Sequence, residues 1–355
     1  MGGLLESDLP IVGAPMAGGP GTVRLAGAVA EAGGFPFLAA GYRESAGLAD
    51  EIRELRSRLG EARRGGASGG ESDGPGFGVN LFVPSAREIE PEVFRRYADE
   101  LREEASALGV ELPDRPVHDD DRWDEKLELL IADPVPVVSF TFGIPAPGEI
   151  AALQRAGTRV LVTVTSRAEA LRAQEAGADG LVAQGSGAGG HRGTHDPGAA
   201  PSDAPAVELV RRVAPITRLP VIAAGGVDGP EAVAELLDAG AEAVAVGTLL
   251  LRTPEAGTGR THREALADPR FTDTVVTRAF TGRYARALRN GFVGRHPAAP
   301  EGYPELHHLT RPLRRAAATA QDPDRLHLWA GTGFRAAEER PASEVVRRLA
   351  ERLPA

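Results

Sequence analysis

The chain has 355 residues, a formal net charge of −10, 42% hydrophobic residues and 25% charged ones. That balance suits a globular protein with a sizeable core and gives no basic face for a nucleic acid. Cysteine is absent, which excludes disulfides, thiolate nucleophiles and cysteine-ligated metals. The opening MGGLLESDLP has no basic segment followed by an apolar core, and no stretch reaches the roughly 20 apolar residues of a bilayer span. We therefore expect a soluble, cytoplasmic protein, monomer or homodimer, with neither nucleic acid nor membrane as partner.

In chain order, short apolar and β-branched runs predict strands at 11–16, 35–39, 77–81, 137–140, 159–164, 180–183, 221–224 and 243–246. The runs are continuous, not alternating, as in strands covered on both faces. Amphipathic patterns predict helices at 22–32, 49–59, 166–176, 204–213 and 230–239, with Thr22, Ser166 and Ser202 as caps, Pro230 in a first turn and AGA stops at 176–178 and 239–241. Strands alternating with helices favour an α/β fold, a single (β/α)8 TIM barrel, over a doubly wound open sheet. Three segments interrupt the alternation: a Gly/Ser-rich stretch at 60–76 expected as a flexible loop, a helical insertion at 91–132, and a helical C-terminal cap at 261–350. The cluster His118, Asp119, Asp120, Asp121 reads as a solvated helix start, because consecutive carboxylates cannot all converge on one ion. No metal is expected.

In such a barrel the site lies at the C-terminal ends of the strands. Gly225-Gly226 and Gly247-Thr248 follow the seventh and eighth predicted strands, and their free amides point to a phosphate site. Asn80 and Gln184 sit at strand ends, where a neutral amide can meet the edge of a base or an isoalloxazine ring. The glycine-dense run GLVAQGSGAGGHRG (180–193) would bring backbone close to a flat ligand. Together these features suggest a mononucleotide across the mouth, with FMN the leading candidate. His191 ends the glycine run, and its usual pKa of ~6.5 suits a general base. His195, His262, His296, His307, His308 and His327 read as ordinary exposed or satisfied imidazoles. No nucleophile elbow, Walker loop or HExxH pair is present, and GSGAGG lacks the following helix of a dinucleotide fingerprint.

The segments PIVGAPMAGG, GFGVNLFVP, VVSFTFGIP, AQGSGAGGHRG, LPVIAAGGV, TRAFTGRYARALRN and YPELHHLTRPLRRAA together resemble the nitronate monooxygenase family, formerly called 2-nitropropane dioxygenases. The resemblance implies a barrel holding FMN non-covalently and oxidising alkyl nitronates, such as propionate 3-nitronate, with O2. Carried over by position, it implies FMN contacts from Ala14, Pro15, Met16, Asn80, Gln184, Gly189, Gly190, Gly226, Ala245, Val246, Gly247 and Thr248. It makes His191 the catalytic histidine, with Tyr303 and Arg311 binding substrate at the mouth. Four positions depart from the family pattern: Gly187, Ala245, Arg311 and Thr332 stand where Glu, Gln, Lys and Gln are usual. Two rival readings remain, a related FMN barrel acting as an NAD(P)H:quinone or enoyl-thioester reductase, and a barrel that binds flavin or phosphate without turnover.

Overall fold

Parallel strands β1 (Ile11–Gly13), β2 (Phe35–Ala39), β3 (Gly78–Phe82), β4 (Val137–Thr141), β5 (Arg159–Val164) and β6 (Gly180–Gln184) follow one another around a barrel. A short strand β7 (Gly190–His191) leaves the barrel, which β8 (Val221–Ala224) and β9 (Ala243–Val246) then complete. Closure is explicit in the register, with Ile11 opposite Val244 and Val12 opposite Phe35. The computed structural model describes residues 4–65 and 76–353.

The continuous apolar runs follow from burial on two sides. In β5, Leu161 joins Val12, Phe35, Phe37, Val137 and Ile222 inside the barrel, whereas Val160 and Val162 pack outward against helices. The inner layer is tight at Gly78, where a Cβ would lie 2.2 Å from the Phe37 ring. Gly78→Ala should therefore lower stability by about 1–3 kcal/mol, the usual cost of overpacking. The urea unfolding midpoint measures this, and an unchanged midpoint would show that the ring moves aside freely.

Thr22 and Ser166 cap their helices as expected, accepting from the amides of Leu25 and Glu169. Gly177 and Gly240 take the left-handed conformation after the helices they end. Ser202 is not a cap: its hydroxyl accepts from Ala204 in a local turn, and the helix begins at Ala206 after Pro205. The helix Ser45–Gly65 is longer than the predicted 49–59. Residues 60–65 thus belong to it, since Glu61, Ala62, Arg63 and Arg64 are good helix formers; the rest of the predicted loop, 66–75, lies outside the described residues.

The segment 91–132 splits into helices Pro91–Glu100, Arg102–Leu108 and Trp123–Ala132. The first two pack through Phe94, Tyr97 and Leu101 on Leu306, Leu309 and Leu313 of helix Glu305–Thr319. The third joins the barrel wall, with Trp123, Leu127 and Leu130 against Ile52, Leu55 and Phe140. The region 261–350 also divides. Strands β10 (Thr274–Thr277) and β11 (Ala285–Leu288) form a three-stranded antiparallel sheet with β7, which a purely helical reading missed. Helix Ala342–Leu349 packs through Val345 and Val346 with Leu25, Val29 and Val233, in the outer ring and not over the mouth.

Candidate functional site

Beyond β8 and β9 the chain forms a cradle of free amides. Gly225 and Gly226 have φ of +104° and +82°, a region that glycine alone enters cheaply. Among the described residues, the half-buried amides of Gly226, Gly247 and Thr248 have no acceptor. Thr248 Oγ1 accepts from the Gly331 amide at 2.9 Å and Gly187 O from Thr332 N at 3.0 Å, so the segment after Trp329 closes this cradle. Ala14, Pro15 and Met16 are half-buried beside it, and the space a Gly247 Cβ would take is 3.5 Å from Met16 Sδ. Ala245 faces the barrel interior with Ile222, while the Val246 side chain packs outward with Val29 and Val233. Of the predicted cofactor contacts, Val246 can therefore offer only its backbone.

The two strand-end amides differ. Asn80 Oδ1 accepts from Ser139 and Thr141, both at 2.9 Å, and its NH2 group has no acceptor among the described residues. Gln184 is occupied at both ends: it donates to His191 O at 3.1 Å and accepts from Gly193 N at 2.8 Å. It staples the β6–β7 loop and keeps a second N–H and a second carbonyl lone pair. The glycines of that loop serve close approach within the chain itself. A Cβ on Gly185 would lie 2.2 Å from Ala206 N, and one on Gly189 2.5 Å from Gly331 N. The departures Gly187 and Thr332 are neighbours, since a Gly187 Cβ would lie 2.8 Å from Thr332 Oγ1.

His191 lies on a strand, not on a free loop. Its partner across the ladder is Ala285, and Gly190, at φ +73°, faces Arg286. The imidazole Nε2 is 2.9 Å from Thr281 Oγ1. Thr281 Oγ1 also lies 3.3 Å from Arg283 O; with its proton there it accepts from Nε2–H, and with its proton turned to the ring it donates to an unprotonated Nε2. Phe142, Tyr303 and Trp329 enclose the ring at centroid distances of 5.7, 5.6 and 5.4 Å. Burial first, then the positive charges of Arg283 and Arg314, push its pKa down to about 3. His191 is neutral at physiological pH.

Those two arginines are the feature that the sequence did not disclose. Both are buried, and neither is in ion-pair contact with a carboxylate among the described residues. Arg283 lies 3.9 Å over the Phe142 ring and donates to Arg192 O and Thr194 O. Arg314 donates to Thr310 Oγ1 at 3.1 Å and to His307 O at 2.7 Å. Phe142 itself has φ of +82°, an uncommon conformation for a side chain of its size. Arg311, expected at the mouth, sits with Arg315 and Ala318 on the exposed face of helix Glu305–Thr319. Arg314 is buried and Arg311 exposed, although one turn apart on neighbouring parts of the helix surface.

Tyr303 is half-buried and donates to the Tyr42 hydroxyl at 3.1 Å, and the Tyr42 ring stacks on His307 at 4.3 Å. Burial raises the Tyr42 pKa to about 12 and lifts that of Tyr303 well above the ordinary phenol value, so both phenols stay protonated. The acidic cluster is a clasp over this corner. Asp119 pairs with His308, His118 with Glu305 at 2.8 Å, and Asp121 with Lys126 at 2.8 Å and with the Tyr42 amide. A depression lined by Tyr42, Phe82, Asp119, Tyr303 and His308 opens there. Tyr42 follows β2, so the strand-end rule that yielded Asn80 also reaches it. Arg314 carried no such signal.

Residues 5–352 match the sequence pattern of the family described as nitronate monooxygenase. A protein of Staphylococcus aureus (strain MSSA476) named probable nitronate monooxygenase is 32% identical over 354 residues, spanning 99% of this chain and 96% of that one. The structure of nitroalkane oxidase from Streptomyces ansochromogenes superposes with a TM-score of 0.89 at 45% identity, covering 98% and 96% of the two chains. FabK from Thermotoga maritima superposes with a TM-score of 0.71 at 26% identity over 98% and 93%.

Proposed function

The chain belongs to the nitronate monooxygenase family, a family of flavin-dependent oxidoreductases acting on nitro compounds, and on that footing we propose that it uses FMN to oxidise alkyl nitronates with O2. The observation that carries this reading is a histidine held neutral beside two buried guanidiniums that lack carboxylate partners. A buried cation without a counter-charge is costly, and an anionic ligand relieves that cost. A nitronate brings its own negative charge into this field. A neutral nitroalkane must first lose a proton to His191, whose protonated form the same field disfavours.

The unpaired amides of Gly226, Gly247 and Thr248 would hold the phosphate of FMN, and Met16 and the Asn80 NH2 group would meet its ring system. The flavin, when bound, supplies the acceptor for the substrate's electrons and passes them to O2. Arg283 and Arg314 attract the nitronate, and Phe142, Tyr303 and Trp329 exclude water around it. The neutral His191 ring would take the proton of a substrate that still carries one. Similarity to a nitroalkane oxidase, together with that neutral ring, favours a second reading in which neutral nitroalkanes are also used more slowly.

The purified protein should be yellow. Under nitrogen, nitronate should bleach it and air should restore the colour. Rapid bleaching by NADH alone would favour a reductase instead, and a sample that stays colourless after FMN addition would remove the flavin reading. The low pKa of His191 yields a further expectation. Because the ring is neutral well above pH 3, kcat/KM for a nitronate, corrected for the substrate's own ionisation, should be flat between about pH 5.5 and 8. An acid limb near the ordinary histidine value of ~6.5 would show that burial and the two arginines do not act on His191 in this way.

A further inference from the structure

We propose that Trp329 limits the size of the hydrocarbon group that this enzyme accepts on the nitronate carbon: its indole closes the apolar side of the pocket and admits short aliphatic chains. The proposal deepens the nitronate reading above and rests on it.

The three rings around His191 are not alike. Phe142 lies under the Arg283 guanidinium at 3.9 Å, and Tyr303 spends its proton on the Tyr42 hydroxyl. Trp329 stands among rings instead, with His191 and His327 both at 5.4 Å and Phe280 edge-on at 5.6 Å. A nitronate has a charged end and a hydrocarbon end. The guanidinium over Phe142 draws the charged end to that wall. The hydrocarbon end is left to the indole, where removing apolar surface from water is favourable.

Trp329 cannot retreat to make room. β10 occupies one edge of β11, and the segment around Trp329 shares the other edge with β7. There Trp329 bridges to Ala287, Leu328 O accepts from Leu288 N at 2.9 Å, and Trp329 O accepts from His262 Nε2 at 3.0 Å. Behind the ring, Phe280 is 1% exposed and stacks on Phe292 at 4.7 Å. Both belong to the packed cluster of Tyr97, Leu306 and Leu309. The indole is thus the partition between His191 and a close-packed core, which has no slack for extra volume. One misfit methylene in such a pocket is worth about 10- to 200-fold. Trp329→Ala would remove the partition and open space against Phe280 and His327.

The test follows kcat/KM for ethyl, butyl and hexyl nitronate in the wild type and in Trp329→Ala, with flavin content measured alongside. The wild type should favour the short substrates. Trp329→Ala should raise the hexyl-to-ethyl ratio by at least about 10-fold. Propanoate and octanoate serve as planar anions that bind without reacting. Their binding is read as the rise in melting temperature that a ligand of the native state produces. Octanoate should stabilise Trp329→Ala more than the wild type, and propanoate should stabilise both alike. An unchanged ratio, or a wild type that takes hexyl nitronate as readily as ethyl nitronate, would overturn the proposal. Loss of flavin in the variant would also overturn it, because the ring would then be a cofactor contact. If Trp329→Ala does not fold, Trp329→Leu carries the test, since it keeps an apolar side chain of smaller volume; the same selective gain for the longer chain is required. Should the wild type oxidise no nitronate, the functional reading fails. The alkanoates then judge Trp329 alone: a selective gain for octanoate in the variant supports the partition, and its absence refutes it.

Discussion

Gly226→Asp and Gly247→Asp should each purify without flavin. Both residues lie in the amide cradle beyond β8 and β9, where the donors of Gly226, Gly247 and Thr248 have no acceptor among the described residues. A carboxylate there places one anion against another in a half-buried setting, and like charges at close range oppose each other strongly. The two positions separate charge from shape. Gly226 has φ of +82°, so any side chain is strained and the aspartate adds repulsion to that strain. Gly247 has ordinary backbone angles, and a Cβ there would make normal contacts of 3.5 Å with Met16 and 3.6 Å with Ala14. Gly247→Ala should accordingly keep its flavin while Gly247→Asp loses it. The measurement is the ratio of flavin to protein absorbance after purification, followed by titration with FMN. A fall in affinity of at least about 100-fold, equivalent to about 2.7 kcal/mol, is expected for each aspartate variant. A fully yellow Gly247→Asp protein with unchanged affinity would mean that the phosphate binds elsewhere.

The barrel was legible because its strands are covered on both sides. Runs such as RVLVTV in β5 and VIAA in β8 have no polar alternation to confuse with an exposed sheet. The small sheet was not legible. β7 has two residues, and β10 and β11 have four each, so none carries enough periodicity to separate strand from loop. That sheet explains why the glycine run ending in His191 and the segment TGRYARALRN occur together, since Ala285 and Arg286 are the ladder partners of His191 and Gly190. Residue type was incomplete at Gln184, where an amide at a strand end also staples the loop. It misled at Arg311. A helix with several arginines does not say from sequence which of them faces inward, and Arg314 is held by the His307 carbonyl and by Thr310, whose hydroxyl is itself bonded to the distant Phe280 carbonyl. The acidic cluster does precede a helix start, with Asp119 and Asp120 exposed, but its links to His308 and the Tyr42 amide join residues far apart in sequence.

His191→Asn should separate two forms of one substrate. A neutral nitroalkane must lose its α-proton before it can give up electrons, and a nitronate has already lost it. A positioned base is typically worth about 10²–10⁴-fold, so the variant should lose that much of any nitroalkane turnover. Nitronate turnover should fall by less than about tenfold, the share expected of a neutral hydrogen-bonding contact. The cofactor should stay bound, because His191 is held on β7 by backbone pairing with β11 and not by the glycine cradle. Asparagine keeps a polar group near the Nδ1 position, gives up the Nε2 contact with Thr281 and introduces no charge. The structure also ranks the two activities in the unaltered protein. A base whose pKa is pushed down to about 3 is weak toward a neutral carbon acid, whereas the arginines that depress it favour an anion; nitronate should therefore be the faster substrate from the outset. Oxygen consumption with each form, at a pH where they interconvert slowly, measures both effects together. Parallel losses on the two forms would show that His191 orients the substrate and does not take its proton.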